Sequence, residues 1–393
     1  MAGLGRKVFN AGEVLSAANV QGYLQDQVVQ VYSGTAARSS ALGTAVSEGM
    51  TSYLTDSNEL SVYTSNGTAA WSPVNLSQSP NAIINGAFDI WQRGTSFSSP
   101  ASGSYTADRF QINHDGTGAT RTISQQTFTP GSAPVAGYEG QFFYRYAQTV
   151  AGTGGTYLNI FDHYVEDVRT FAAQTVTFSF WAKAASAASF TMGVVQNFGS
   201  GGSGTVSAGS QSISVTTSWQ RFSLTVAMPS VSGKTIGSAS KLDAYVQASP
   251  NTTFTFDIWG VQLEAGSVAT PFRRNAPSLQ GELAACQRYF IRTVFDGSAK
   301  LIGTGTVWTS SDLRVIHKFP TTMRTRPTLS GGTASNYTWL IAGSTGNPSS
   351  ISLDFADDNA ALVVFGVSGR TAGQAGWVTS SGTSGTLDLS AEL

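Results

Sequence analysis

A single cysteine, Cys286, stands in a chain of 393 residues. That excludes an intrachain disulfide framework and any cysteine-rich zinc site. Charge is scarce as well. Asp, Glu, Lys and Arg make up 11% of the residues and the net charge is −1, against about 25% charged residues in an ordinary soluble domain. No basic stripe runs through the sequence, so the electrostatic footprint of a nucleic-acid partner is missing. The three histidines, His114, His163 and His317, stand apart with no metal-ligand spacing. The glycine-rich run from Gly199 to Gly204 lacks the Lys-Ser/Thr of a phosphate loop, and no convincing G-x-S-x-G elbow follows a strand. No stretch approaches the roughly 20 apolar residues of a membrane span, so no membrane insertion is expected. Met1 to Phe9 lacks the apolar core of a signal peptide, so synthesis in a cytoplasm without an export signal is expected.

The chain is rich in glycine (43 residues) and in Ser, Thr, Asn and Gln, and 41% of it is hydrophobic. Aromatic and β-branched residues recur throughout, which argues against disorder. This is the composition of a stiff β-structure hydrated through hydroxyls and amides. Such a surface suits a neutral or weakly acidic glycan better than a strongly charged partner.

Short alternating runs separated by Gly, Ser and Asn predict an all-β fold in three parts. Residues 1–76 read as a short helix after Ser16 (Val20, Leu24 and Val28 on one face), a strand near Val28 to Tyr32, and hairpins through Gly49–Leu54, Leu60–Tyr63 and Ala70–Val74. Residues 75–80 read as a linker. Residues 77–274 hold about eight to ten strands, among them Arg121–Phe128, Gln141–Ala147, Thr175–Lys183, Phe190–Val195, Gln220–Val226, Lys241–Val246 and Thr253–Leu263. That density is the signature of a β-sandwich or jelly roll. Gly199 to Gly209 reads as a flexible loop. Residues 275–393 open with a short helix from Leu279 and continue as a second, smaller β-sandwich. No short fixed repeat is present, which disfavours a parallel β-helix.

Three stretches carry a resemblance. Phe9 to Gln27, followed by the Gly49–Trp71 hairpin pattern, resembles the N-terminal segment of bacteriophage minor tail and tail-fibre proteins. Ile84-Asn-Gly-Ala-Phe-Asp-Ile-Trp-Gln-Arg-Gly, Tyr105-Thr-Ala-Asp-Arg-Phe, Phe178-Ser-Phe-Trp-Ala-Lys, Trp219-Gln-Arg-Phe and Phe256-Asp-Ile-Trp-Gly-Val-Gln-Leu-Glu-Ala-Gly resemble, in that order, the carbohydrate-binding-module-like jelly rolls of phage tail fibres. Glu282 to Phe290 is similar to the junction into their C-terminal domain. The resemblance implies a virion protein of the tail or fibre. Residues 1–76 would attach it to other tail or baseplate proteins, the jelly roll would recognise host surface polysaccharide, and the C-terminal sandwich would serve receptor binding or trimerisation. It also implies a homotrimer and no catalytic activity. Two rival readings are a baseplate or head-decoration component without a ligand, and a tailspike-like polysaccharide depolymerase.

Candidate site residues follow. Tyr138, Tyr157, Phe161, His163 and Tyr164, on loop-like ground, are candidate exposed platforms for sugar rings. Trp91, Trp181, Trp219 and Trp259 lie in strand motifs and are expected to fill the core. In jelly-roll carbohydrate-binding modules the first and last strands often share a structural calcium, and the resemblance places Asp89 and Asp257 there. Carboxylates suit that ion, but pairing of each with a nearby arginine (Arg93 or Arg109), or capping of a turn, is the plainer reading. Asp108-Arg109 reads as an ion pair or a turn. Asp162, Glu166 and Asp167 could form a glycosidase pair, but a solvated run of carboxylates is the plainer reading.

Overall fold

A computed structural model describes residues 14, 16–17, 28–56, 59–64, 70–74, 81–135, 138–295, 298–381 and 385–393. The helix expected after Ser16 and the linker at 75–80 fall largely or wholly outside the described residues. The chain divides into two compact units, Met1–Ser79 and Pro80–Leu393.

In the first unit β1 (Val29–Tyr32), β2 (Thr51–Leu54), β3 (Glu59–Thr64) and β4 (Ala70–Pro73) form one sheet in that order. The expected hairpins are there: β2, β3 and β4 pair antiparallel. β1 instead runs parallel to β2, and the crossover between them holds α1 (Thr35–Leu42), a helix the sequence reading missed. Arg38 of α1 is buried, donates to Ser52 Oγ at 3.0 Å and lies 4.4 Å over the Trp71 ring.

The second unit opens with a sandwich of eleven strands: β5 (Ser96–Ser98), β6 (Phe110–His114), β7 (Thr120–Thr127), β8 (Phe142–Val150), β9 (Leu158–Glu166), β10 (Thr175–Ala184), β11 (Ala188–Asn197), β12 (Val206–Val215), β13 (Gln220–Ala227), β14 (Lys241–Gln247) and β15 (Phe254–Ala265). Six of them form the sheet β13-β10-β15-β8-β7-β5, and five form β12-β11-β14-β9-β6. All described pairings in both sheets are antiparallel. Most connections cross from one sheet to the other, as in a jelly roll. The inward positions supply one large core, with Phe88, Phe110, Tyr144, Phe178 and Phe256 fully enclosed. The Gly199–Gly209 stretch is pinned, not loose: Ser200 and Ser238 exchange backbone hydrogen bonds at 2.9 and 3.0 Å, and β12 begins within it.

A second aromatic cluster lies on the outer face of the six-stranded sheet. Trp181 and Trp259 sit there with Phe128, Phe143 and Phe272 under the segments around 128–141 and 266–276. Trp91 packs against the main core and donates to Phe88 O at 2.7 Å. Trp219 is half-buried against Phe128 and Phe143. The tryptophans of the first sandwich therefore serve packing, as expected.

Ser278 caps α2 (Leu279–Gln287) by accepting from Gly281 N at 3.1 Å. A second sandwich follows: β16 (Phe290–Phe295), β17 (Ser298–Thr309), β18 (Asp312–Lys318), β19 (Thr328–Gly331), β20 (Tyr337–Ile341), β21 (Ser344–Gly346), β22 (Ile351–Ala356), β23 (Ala360–Gly366), β24 (Ala375–Ser381) and β25 (Gly385–Ser390). They form a three-stranded sheet, β16-β25-β19, and a seven-stranded one, β21-β20-β24-β17-β18-β23-β22. The all-β expectation holds in both sandwiches.

Polar contacts join the first sandwich to α2 and the second sandwich. Glu282 of α2 accepts from Asn85 N and from Ala276 N at 2.9 Å. Gln92 Nε2 donates to Phe290 O at 2.8 Å, and Glu166 pairs with Arg288 at 3.0 Å. Asp108 and Arg109 do not pair with each other. Asp108 accepts from Gln92 and faces Arg93 at 3.5 Å, while Arg109 pairs with Glu392. Burial raises the Asp108 carboxyl to about 6, against the opposing pull of Arg93.

Candidate ligand-binding face

The outer face of the five-stranded sheet is where polar chemistry collects. Residues of neighbouring strands that face outward stand in register there. Tyr245 of β14 pairs with Asp162 of β9 and with Gly193 of β11, and Asp162 pairs with Gln111 of β6. In adjacent rows Asp243 pairs with Tyr164, and Gln247 pairs with Asn159. Side chains directly opposite on one face lie within contact distance, so these residues form one continuous surface.

Hydrogen bonds fix it. Asn159 Nδ2 donates to Asp162 Oδ1 at 2.6 Å, and Asn113 Nδ2 donates to Asp162 Oδ2 at 2.7 Å. The Tyr164 hydroxyl donates to Gln111 Oε1 at 2.9 Å. Lys241 Nζ lies 3.4 Å over the Tyr164 ring. Asp243 lies one row along from Asp162 on the same face, and the two carboxyls interact. Burial pushes Asp162 up to about 6, against the hydrogen bonds from Asn113 and Asn159. Burial, then the neighbouring Asp162 charge, drives Asp243 well above the carboxylate range. Tyr245 is half-buried on this face. Its ring lies against Gly193, where a Cβ would collide with the ring carbons and the hydroxyl. Glycine thus lets an aromatic ring lie against the sheet.

The structure sorts the predicted platforms. Tyr157 is exposed, at 40% of its surface, just ahead of β9. Phe161 and His163 are fully buried and Tyr164 nearly so, because all three lie on β9 and not on a loop. His163 Nε2 is held against the Ile84 backbone at 3.1–3.2 Å, and burial lowers its pKa well below the ordinary value. Phe161 and His163 therefore offer no face to a sugar ring, and only the hydroxyl side of Tyr164 contributes to the outer surface. Tyr138 packs edge-on against Phe272 and tilted against Trp259, at 5.3 Å each, as part of the second aromatic cluster.

Asp89 and Asp257 do not form a shared cation site. Arg274 Nε and Nη2 bind Asp89 Oδ2 at 2.9 and 2.8 Å. Arg145 binds both oxygens of Asp257 at 2.7 and 2.8 Å, with Lys183 at 3.7 Å. A carboxylate oxygen taken by a guanidinium is a poor calcium ligand; both oxygens of Asp257 are taken in this way, and Oδ2 of Asp89. The partners are arginines as anticipated, but Arg274 and Arg145 take the place of Arg93 and Arg109. Among the described residues no group of three or more His, Cys, Asp or Glu side chains could hold a metal ion. The carboxylates Asp162, Glu166 and Asp167 do not converge either: Glu166 pairs with Arg288, and Asp167 pairs with Arg169 at 3.0 Å. The partner of Asp162 is Asp243, which the sequence reading did not single out.

No family model matches the chain, and no curated protein matches it. Solved structures are similar over part of it. A CBM4 structure is 18% identical over 47% of this chain and 99% of its own, with a TM-score of 0.28. The enzymatically active domain of bacteriophage CBA120 tailspike protein 4 is 16% identical over 43% of this chain and 21% of its own, with a TM-score of 0.28. The Stig cyclase Fisc from Fischerella sp. TAU is 8% identical over 49% of this chain and 99% of its own, with a TM-score of 0.32. The fold stated above rests on the strand pairing and not on these scores.

Proposed function

We propose that this chain is a non-enzymatic glycan-binding protein of a phage tail or fibre, and that the outer face of the five-stranded sheet receives the sugar. The observation that carries the site is the register of Gln111, Asn113, Asn159, Asp243 and Tyr245 on one surface, with Asp162, itself 1% exposed, orienting the amides of Asn113 and Asn159. Amides and carboxyls are the groups that bond sugar hydroxyls, and a tyrosine ring offers an apolar face for the sugar's C–H groups. Among the described residues named here, Lys241 alone carries positive charge, which suits an uncharged, hydroxyl-rich ligand. The virion role is supported by the sequence resemblance of residues 9–71 and of the motifs between Ile84 and Phe290. On that reading the first unit attaches the protein to the tail or baseplate. Three copies in one fibre would multiply weak single-site affinities through avidity.

A depolymerase reading has one point in its favour, the raised carboxyls of Asp162 and Asp243 on one face. Against it, Asp162 is 1% exposed and held by Asn113 and Asn159, whereas glycosidase carboxyls stand open, about 5–9.5 Å apart, to admit a sugar and, in inverting enzymes, a water. The test is binding of host surface polysaccharide by the intact protein, with Asp162→Asn and Tyr245→Ala alongside. Binding that falls about tenfold or more in either variant, with no new reducing ends, is the expected result. Undiminished binding in both removes this face as the site, and release of reducing ends removes the non-enzymatic assignment.

A further inference from the structure

One end of the first sandwich, where β6 passes to β7 and β8 to β9, is closed by loops bonded to one another. Thr117 and Thr153 exchange backbone hydrogen bonds at 3.1 and 2.9 Å. Gly152 N donates to Pro250 O at 3.2 Å, and Asn251 Nδ2 donates to Gly155 O at 3.0 Å. Beneath these loops Arg121 of β7 points inward with Ile123 and is 5% exposed. Its cross-strand neighbour is Gln148 of β8, and Tyr146 is the diagonal one on the same inward face.

Among the described residues, Arg121 Nε and Nη1 reach no hydrogen-bond partner and the guanidinium meets no carboxylate. A guanidinium cannot shed its proton to escape the cost of burial. The other two buried arginines have partners: Arg109 meets Glu392, and Arg38 meets Ser52 and Trp71. Asp115, the acid at this end, is held by Thr156 N, Thr156 Oγ1 and Tyr157 N at 2.6–2.9 Å. Three more buried polar atoms lack partners here: the Tyr146 hydroxyl, Gln148 Oε1 and His114 Nδ1. The Gln148 amide is oriented by Nε2 donating to Pro250 O and Thr252 O at 2.8 and 2.7 Å, so Oε1 stays an unfilled acceptor. His114 Nε2 lies 3.2 Å from Pro100 O, which leaves Nδ1 an acceptor too. Tyr157, exposed, stands at the rim next to Asp115.

We propose that Arg121 anchors an anion site at this loop-capped end, and that its ligand is a hydroxylated carboxylate, the group an acidic sugar carries. The cation demands a negative charge. The unfilled acceptors on Gln148 and His114 demand hydroxyl donors from the same ligand, and Tyr157 can lie against its ring. The sugar form of the ligand rests on the glycan reading above, whereas the anion site does not.

The test is calorimetric titration of the intact protein with glucuronic acid, glucose and polygalacturonate, repeated on Arg121→Met. The expected result is glucuronate binding that weakens about tenfold or more in the variant, with glucose unaffected by the substitution. Polymer binding that depends on Arg121 assigns the carboxylate to a chain residue, and dependence limited to the monomer assigns it to a free hydroxy acid. If Arg121→Met does not fold, Arg121→Lys keeps the charge but removes the Nε donor and is compared in the same way. Equal glucuronate binding by the wild type and the folded variant overturns the proposal, as does no glucuronate binding by the wild type. Asp162→Asn and Tyr245→Ala leave this end untouched, so the outer-face reading and this one can fail separately.

Discussion

Arg109 and Glu392, 283 positions apart in the chain, form an ion pair that is almost wholly enclosed, with side-chain exposures of 0% and 8%. The same guanidinium donates to Tyr164 O at 2.6 Å and lies 3.4 Å over the Tyr289 ring. Arg93 joins Glu392 at 2.9 Å. Arg109 adopts a φ of 73° to reach this position, a left-handed conformation that strains any residue with a Cβ. The Tyr105–Phe110 motif is therefore a clasp from the first sandwich onto the second.

Breaking that clasp from one side should be costly. Arg109→Met leaves Glu392 in a closed environment with only Arg93, and losses of about 3–5 kcal/mol are typical when one member of a buried pair is removed. Denaturant unfolding should show the loss. A double variant with Glu392→Gln should lose less than the sum of the two single changes, because the pair is coupled. Additive losses would mean that the two groups stabilise the fold independently.

How far the sequence could show this depends on the range of the interaction. Strands such as β10 and β14 were legible because apolar residues alternate along them. β9 was not. Its register with β14 shifts between Asn159 and Phe161, so one residue bulges and the parity of inward and outward positions reverses. Asn159 and Asp162 then share a face although they are three apart, and the run Leu158–Glu166 looks like loop. The Asp162–Asp243 pair was illegible for the same reason, together with its separation of 81 positions. β12 was hidden by its serines and glycine, whose outward positions show no apolar signal. Arg109–Glu392 and Arg145–Asp257 depend on which loops and strands meet, and no local pattern encodes that.

The raised carboxyls of Asp162 and Asp243 predict a stability slope. Both acids titrate above the ordinary 3.8, Asp162 at about 6. An acid whose folded pKa is raised holds its proton in the native state after the unfolded chain has released it. Its contribution is complete below the unfolded pKa and is lost as pH rises through the folded one. Lys241 opposes the shift, and Tyr164 and Tyr245 are the remaining titratable groups facing the pair. Asp243→Asn removes the doubly charged state, so its Tm should fall less than that of the wild type between pH 3.8 and about 6 and beyond. Parallel Tm–pH curves would contradict the raised carboxyls.

The arginine-bound carboxylates of Asp89 and Asp257 predict indifference to calcium. Neither added calcium nor a chelator should move the Tm, because each carboxylate already meets an arginine. Arg145→Met is the sharper probe. It exposes Asp257 to Lys183 alone, and a modest stability loss of about 1 kcal/mol fits a pair whose arginine is one-third solvent-exposed. A Tm that drops on chelation in the wild type would show that one of these carboxylates serves a cation after all.

Gly193 offers the cleanest separation of binding from folding. The Tyr245 ring occupies the space that a Cβ at 193 would need, and the collision is with a side chain and not with backbone. Gly193→Ala should therefore turn the ring off the sheet while β11 keeps its pairing with β14. Alanine is also the better residue in a strand interior, since glycine there loses more conformational entropy on folding. Stability should change little, whereas glycan affinity should fall as far as it does in Tyr245→Ala. The ring position can be read from the near-ultraviolet circular dichroism of the variant, beside polysaccharide binding at matched protein concentration. Wild-type affinity with a displaced ring would show that Tyr245 is not a contact, and the sugar face would then reduce to the amide and carboxyl groups of β6, β9 and β14.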